Sequence, residues 1–135
     1  MRDLLTELFS IESDFVPDRE KQAQGLGALI AHPHGKVLVL VAVIDGLVVG
    51  MATVQALIST AEGGSVGLVE DVVVGKEHRG RGIGTMLLDG IVGWAMQGKL
   101  LRLQLLADKD NEPALKFYAG REWTSTNLTC MRRMP

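Results

Sequence analysis

A mixed α/β domain built on a mostly antiparallel sheet flanked by helices is predicted by three observations. β-branched runs separated by glycine turns occupy residues 36 to 74. Stretches of helical period lie on both sides of them. A strand, helix, strand succession over residues 66 to 106 reads as a βαβ crossover unit, which makes its two strands parallel. With 135 residues, 47% of them hydrophobic, the chain suits a single domain over residues 1 to 135.

Leu4, Leu5, Leu8, Phe9 and Ile11 recur at helical spacing, so residues 2 to 10 read as a short amphipathic helix. Pro17 and Asp18 offer a second helix start, after which Ala23, Leu26, Leu29 and Ile30 form an apolar stripe. Gly25 and Gly27 each cost about 1 kcal/mol relative to Ala in a helix, so an irregular or mobile segment is expected there. His32-Pro33-His34-Gly35 ends it as a turn. Val37 to Ile44 and Leu47 to about Ile58 then flank Asp45-Gly46, the signature of a hairpin whose turn needs positive φ at both central positions. Gly63-Gly64 closes a second turn, and Val66 to Val74 supplies a third antiparallel strand. A helix follows from about Gly82 to Met96, with Ile83, Leu87, Ile91 and Trp94 on one face. Leu100 to Leu106 reads as a buried strand, Glu112 to about Tyr118 as a short helix, and Trp123 to Met131 as a last strand carrying Cys130 into the core. The six methionines also read mostly as core, and Arg132 and Arg133 as a solvated tail.

Composition removes several function classes. The balance of 14 Lys+Arg against 16 Asp+Glu argues against a nucleic-acid binder, whose affinity rests on excess positive charge. Val37 to Ile44, the longest apolar run, falls far short of the roughly 20 residues of a membrane helix, and no export signal is visible at the first residues. One cysteine excludes a disulfide scaffold and suggests a reducing, cytoplasmic setting. His32 and His34 lack the further ligands of a zinc site, so no metal is expected. Small molecules or other proteins remain as partners.

The most informative stretch runs from Val72-Val73-Val74 through Gly75-Lys76-Glu77-His78 into Arg79-Gly80-Arg81-Gly82-Ile83-Gly84-Thr85. A strand entering a loop of alternating glycines and then a helix aims several free N–H groups at one place, where the helix dipole adds positive potential. That is an anion site: glycines admit a phosphate closely, and Arg79 and Arg81 offer charge-assisted bonds. No Gly-Lys-Ser/Thr follows, so an ATP-type loop fails; strict alternation of Gly80, Gly82 and Gly84 excludes the dinucleotide fingerprint.

Arg79-Gly80-Arg81-Gly82-Ile83-Gly84 resembles the Arg/Gln-x-x-Gly-x-Gly/Ala pyrophosphate loop of the GCN5-related N-acetyltransferase (GNAT) family, and the triple valine resembles the strand that holds pantetheine there. Asn111, Ala114, Phe117 and Tyr118 are similar to the family's second motif, Asn-x-x-Ala-x-x-Leu/Phe-Tyr. The resemblance covers about residues 36 to 131. It implies acetyl-CoA as donor and an amine of a small molecule or peptide as acceptor. Two departures accompany it. The family opens with a strand before its first helix, whereas here the helix at Arg2 comes first, so the expectation is a trimmed sheet or an amino terminus that precedes residue 1. The family also places Gly-Phe four and five residues after the Tyr, where this chain has Glu122-Trp123, with Gly120 displaced and Trp123 standing in for the Phe.

Acyl transfer from a thioester to an amine requires a neutral amine, a stabilised oxyanion and a proton for the leaving thiolate. The resemblance makes Tyr118, the chain's only tyrosine, the general acid; a phenol of pKa about 10 is protonated at neutral pH. Glu70 and Asp71 sit among Leu68, Val69 and Val72, where a carboxylate is costly to bury without a partner. Side chains alternate along a strand, so one of the two is expected to face the acceptor. An acid at the matching place in some family branches favours Glu70 as base or amine binder. The oxyanion would meet a backbone N–H near Val73 or Val74, and Asn111 would bond pantetheine or cap its helix. The rival reading is a non-catalytic acyl-CoA sensor of the same fold. A valine-rich sheet edge left open by the absent first strand further suggests a homodimer.

Overall fold

The structure, a computed structural model, describes residues 1 to 33 and 35 to 135. His34, and with it part of the expected turn at His32 to Gly35, lies outside the described residues. The chain divides into two compact units, Met1–Leu105 and Leu106–Pro135.

Strands β1 (Val37–Ile44), β2 (Leu47–Ser59), β3 (Gly64–Val74) and β4 (Leu103–Leu105) form the sheet of the first unit in the order β1-β2-β3-β4, with only β3 and β4 parallel. The hairpin between β1 and β2 turns as expected, at Asp45 with φ 49° and Gly46 with φ 77°. β4 is shorter than the expected Leu100 to Leu106; its pairing to β3 covers only Gly67 to Val69 against Leu103 to Leu105. Helices α1 (Arg2–Ile11), α2 (Arg19–Ala31) and α3 (Ile83–Gln97) cover the sheet. Neighbouring residues of β2 show the two faces. Met51 packs with Val73, Leu4, Leu5 and Leu26 under α1 and α2, whereas a Cβ on Gly50 would meet Ile83 Cγ2 at 3.2 Å and Leu87 Cδ1 at 3.4 Å on α3.

The irregularity expected of residues 19 to 31 does not occur, and α2 is continuous. The Asp18 carboxylate caps it, accepting from the Glu20 and Lys21 N–H groups at 3.0 and 3.1 Å, and burial of Leu26 offsets part of the cost of the two glycines. Only one methionine lies deep in the core, Met51; Met86, Met96, Met131 and Met134 are all exposed, contrary to expectation. Hydropathy misleads here because the two on α3 sit away from its sheet-facing stripe of Ile83, Leu87 and Ile91.

The second unit holds α4 (Glu112–Ala119) and, among its residues, no strand. The expected strand from Trp123 to Met131 is therefore corrected to irregular chain. Its polar run Thr124-Ser125-Thr126-Asn127 offers side chains that compete for backbone groups, as the Leu128 N–H does in donating to Thr126 Oγ1 at 3.3 Å. Neither alternating face is apolar enough to bury: Leu128 and Met131 are exposed, and Cys130 is exposed and not in the core.

One departure from the family pattern finds its reason in the backbone. Glu122, where the family carries glycine, has φ 64°, so the chain adopts a left-handed turn with a residue that pays about 1 kcal/mol or more for it. Trp123 then packs against Tyr118 with the rings tilted by 60° and their centroids 6.1 Å apart. Glu122→Gly relieves that strain but frees the unfolded chain, and should raise unfolding stability by about 0.5 to 1 kcal/mol in urea titration. A loss of stability would show that the Glu122 side chain contributes more than its backbone costs.

Candidate active site

The site begins where β3 changes its relation to both neighbours. Across the sheet, Val54 pairs with Val69 but Thr53 pairs with Asp71, leaving Glu70 as an extra residue without a partner on β2. This β-bulge interrupts strict alternation. On the other side, parallel pairing with β4 ends at Val69. From Glu70 to Val74, β3 therefore keeps β2 but no longer has β4.

Which backbone groups this exposes follows from the ladder. Gly75 N–H donates to Val49 O at 2.9 Å, and hydrogen-bonded positions alternate in an antiparallel pair. Val73 accordingly directs its N–H and C=O toward Met51, its partner on β2. Val72 and Val74 present theirs to the edge that β4 has left. Of the two candidate oxyanion donors, Val74 thus has its N–H on the open edge.

The strand then enters the glycine loop. A single 3-10 turn at Lys76–His78 leads to Gly80 with φ 73° and Gly82 with φ 79°. Neither glycine is demanded by space, since an added Cβ would meet nothing within 4 Å; both are demanded by the left-handed backbone. Gly82 is the N-cap of α3 and has no side chain to satisfy the helix's first amides. The N–H groups of Ile83, Gly84 and Thr85 have no carbonyl one turn earlier in the helix.

The two arginines differ. Arg79 donates from Nε to Val74 O at 2.9 Å and from Nη2 to Glu7 Oε1 at 2.5 Å, so its guanidinium is tied to the chain itself. Arg81 is exposed and, among the described residues, has no side-chain hydrogen bond or ion pair. Glu7 was invisible to sequence reasoning, as one acid on the polar face of an amphipathic helix carries no signal.

The paired acids also differ. Asp71 is buried, at 7% exposure, and accepts a hydrogen bond from Oγ1 of the fully buried Thr53 at 2.5 Å. Burial pushes its carboxyl above the ordinary range, with Thr53 opposing in part. Glu70 opens to solvent, yet the partial burial of its carboxyl raises its pKa, and the charge of Asp71 adds to that. Neither acid has a Lys or Arg partner among the described residues. An apolar groove on β1, lined by Met1, Leu29, Ile30, His32, Val37, Val39 and Val41, contains no carboxylate and none of the glycine loop. Among the described residues no group of three or more His, Cys, Asp or Glu is placed to hold a metal, and no helix is long and apolar enough to cross a membrane.

In the second unit, Asn111 Oδ1 accepts from Ala114 N–H at 3.2 Å and caps α4. Tyr118 lies at the far end of the same helix, edge-on to Phe117 with centroids 5.4 Å apart.

A model of the acetyltransferase (GNAT) family matches residues 1–121. The chain belongs to that family. Streptothricin acetyltransferase A of Bacillus subtilis (strain 168) is 38% identical over 52 residues, which are 38% of this chain and 30% of that protein, so the match spans under a third of the relative's length. An aminoglycoside antibiotic 6'-N-acetyltransferase from Acinetobacter haemolyticus shares 21% identity over 87% of this GNAT chain and 82% of its own, with a TM-score of 0.74. A transcriptional regulator from Bacillus halodurans C-125 reaches a TM-score of 0.82 at 18% identity, over 98% of this chain and 93% of its own. At such identities the two structures show a common fold, and the α+β architecture of this GNAT chain is that fold.

The raised pKa of Asp71 makes stability depend on pH. The stabilisation tied to its protonated form is complete below 3.8, its ordinary value, and is lost as pH rises through the higher folded value. Asp71→Asn keeps an oxygen for Thr53 without the charge. Its stability relative to wild type should therefore climb as pH rises from about 4 toward about 8 in parallel urea titrations. A difference that stays constant with pH would show that Asp71 titrates as an exposed carboxyl.

Proposed function

We propose that this chain is an acetyl-CoA-dependent N-acetyltransferase acting on a primary amine of a small molecule or peptide. One observation carries the reading: the edge of β3 that β4 leaves runs directly into a glycine loop and the first turn of α3, whose N-cap, Gly82, has no side chain. The residues present fit the cofactor. An extended amide-bearing arm matches the open-edge backbone of Val72 and the N–H of Val74, whose carbonyl Arg79 holds, and a pyrophosphate matches the amides of Ile83, Gly84 and Thr85 with the unpaired Arg81 beside them. Gly80 and Gly82, open to space beyond their Cα atoms, allow close approach. The relatives named for streptothricin and aminoglycosides favour a small-molecule acceptor.

When bound, acetyl-CoA supplies a thioester carbonyl. The Val74 N–H would donate to its oxygen as charge gathers there, and its value lies in being fixed beforehand by the sheet. A carboxylate whose pKa is raised accepts a proton more readily than an exposed one, so Glu70, or Asp71 beside it, would take the proton of the amine directly or through water. Two acids without a cationic partner would also attract an ammonium group to this end of β3. Tyr118, by the family motif, would donate its phenol proton to the departing sulfur. Asn111 would act by capping α4.

CoA binding by calorimetry and thiol release with a panel of amines test the proposal. Binding and turnover by the wild type are expected; silence toward CoA overturns it, and binding without thiol release would leave a sensor. Arg81→Ala should weaken CoA by about 1 to 3 kcal/mol, the scale of a charge-assisted bond; unchanged affinity would place the phosphates elsewhere. Tyr118→Phe should lower kcat by about 10²-fold or more with acetyl-CoA affinity retained. Full activity in that variant would show that sulfur leaves without the phenol proton.

A further inference from the structure

Glu7 lies on α1, the helix that packs on β3 from the side of Met51 and Val73. Its Oε1 accepts twice, from the Lys76 backbone N–H at 2.9 Å and from Arg79 Nη2 at 2.5 Å. The same guanidinium donates through Nε to Val74 O at 2.9 Å. These three bonds close a ring through the end of β3 and the turn that begins the glycine loop. A carboxylate serves both donors, one backbone and one cationic, from a single oxygen and adds a charge that matches the guanidinium. The Glu7 side chain is only 29% exposed and the Arg79 side chain 47%, so the pair is partly shielded from water.

We propose that Glu7 is a positioning residue for the cofactor site: by holding Arg79 on the Val74 carbonyl it sets the path along which the loop amides reach the phosphates. The inference rests on the acetyl-CoA reading given above. It divides the work of the two arginines. Arg79, neutralised by Glu7, shapes the loop from within, and Arg81 meets the ligand. The turn from Gly75 to Arg79 has only two internal backbone bonds, His78 N–H to Gly75 O at 2.8 Å and Arg79 N–H to Lys76 O at 3.5 Å. Beyond the Gly75 N–H to Val49 O bond at 2.9 Å, the Glu7 tether is what holds its far end. The preorganised amides then bind without ordering the loop first, which lowers the entropic cost of association.

The test measures CoA affinity by calorimetry and steady-state constants for acetyl-CoA in the full chain. Glu7→Ala should raise the CoA dissociation constant about tenfold or more, the equivalent of losing a charged hydrogen bond. KM for acetyl-CoA should rise more than kcat falls, a split that simple loss of folded protein would not produce. Glu7→Gln, which still accepts from the Lys76 amide, should recover part of the loss, and it decides the matter if Glu7→Ala fails to fold. Unchanged affinity in both variants overturns the proposal. So does tighter binding, because that would mean Glu7 competes with the phosphates for Arg79. Absence of CoA binding in the wild type would instead defeat the acetyl-CoA reading itself, so the two failures are distinguishable.

Discussion

The structure depends on a change in β3 at Glu70, where the strand bulges against β2 and is released from β4. At Glu70 the strand gains a residue relative to β2, and one step earlier it loses β4. A sheet normally spends every backbone group on its ladders. Here Val72 and the Val74 N–H face the edge that β4 has left, the Val74 carbonyl is held by Arg79, and pairing of Val73 with Met51 continues. The bulge also interrupts the pleat where Glu70 and Asp71 follow one another.

Rigidity behind that edge comes from both faces of the sheet. α3 closes on Gly50, whose lack of a side chain lets Ile83 and Leu87 approach, and the same helix presents its N-terminus to the loop. On the opposite face, Leu4, Leu5 and Leu26 cover Met51 and Val73. Asp71 belongs to the row that holds Thr53 and is buried without a cation. A carboxylate in that position costs stability whenever it is charged. Retaining it makes physical sense if the charge has a task, which an incoming ammonium group would supply under the proposed reaction.

Much of this was legible in the sequence because local chemistry and tertiary role coincide. Asp45-Gly46 specified its hairpin through φ alone, and Gly80 and Gly82 announced a loop whose backbone turns left-handed, whereas Gly84 falls within the first turn of α3. Asp18 overrode Gly25 and Gly27 in α2, showing that a cap and a buried leucine, Leu26, outweigh propensity. The failures have a common cause. Thr and Ser between Trp123 and Met131 alternate like a strand, but a strand requires a partner and an apolar face, and neither is encoded locally. The bulge at Glu70 has no signature either, since it arises from the register of β2 against β3. Arg79 was read with Arg81 as a phosphate ligand; its attachment to Glu7, 72 residues earlier, is a tertiary fact. Glu122 marks the opposite case, a left-handed turn carried by a residue that pattern reading would not place there.

The central claim is that the free edge of β3 and the first turn of α3 together hold the cofactor. Amide hydrogen exchange, read residue by residue by NMR with and without CoA, addresses it directly. The account predicts that CoA slows exchange at Val72, Val74, Ile83, Gly84 and Thr85 and leaves Val73, already bonded to β2, unchanged. Protection confined to other segments, with Val72 and Val74 exchanging as before, would contradict it.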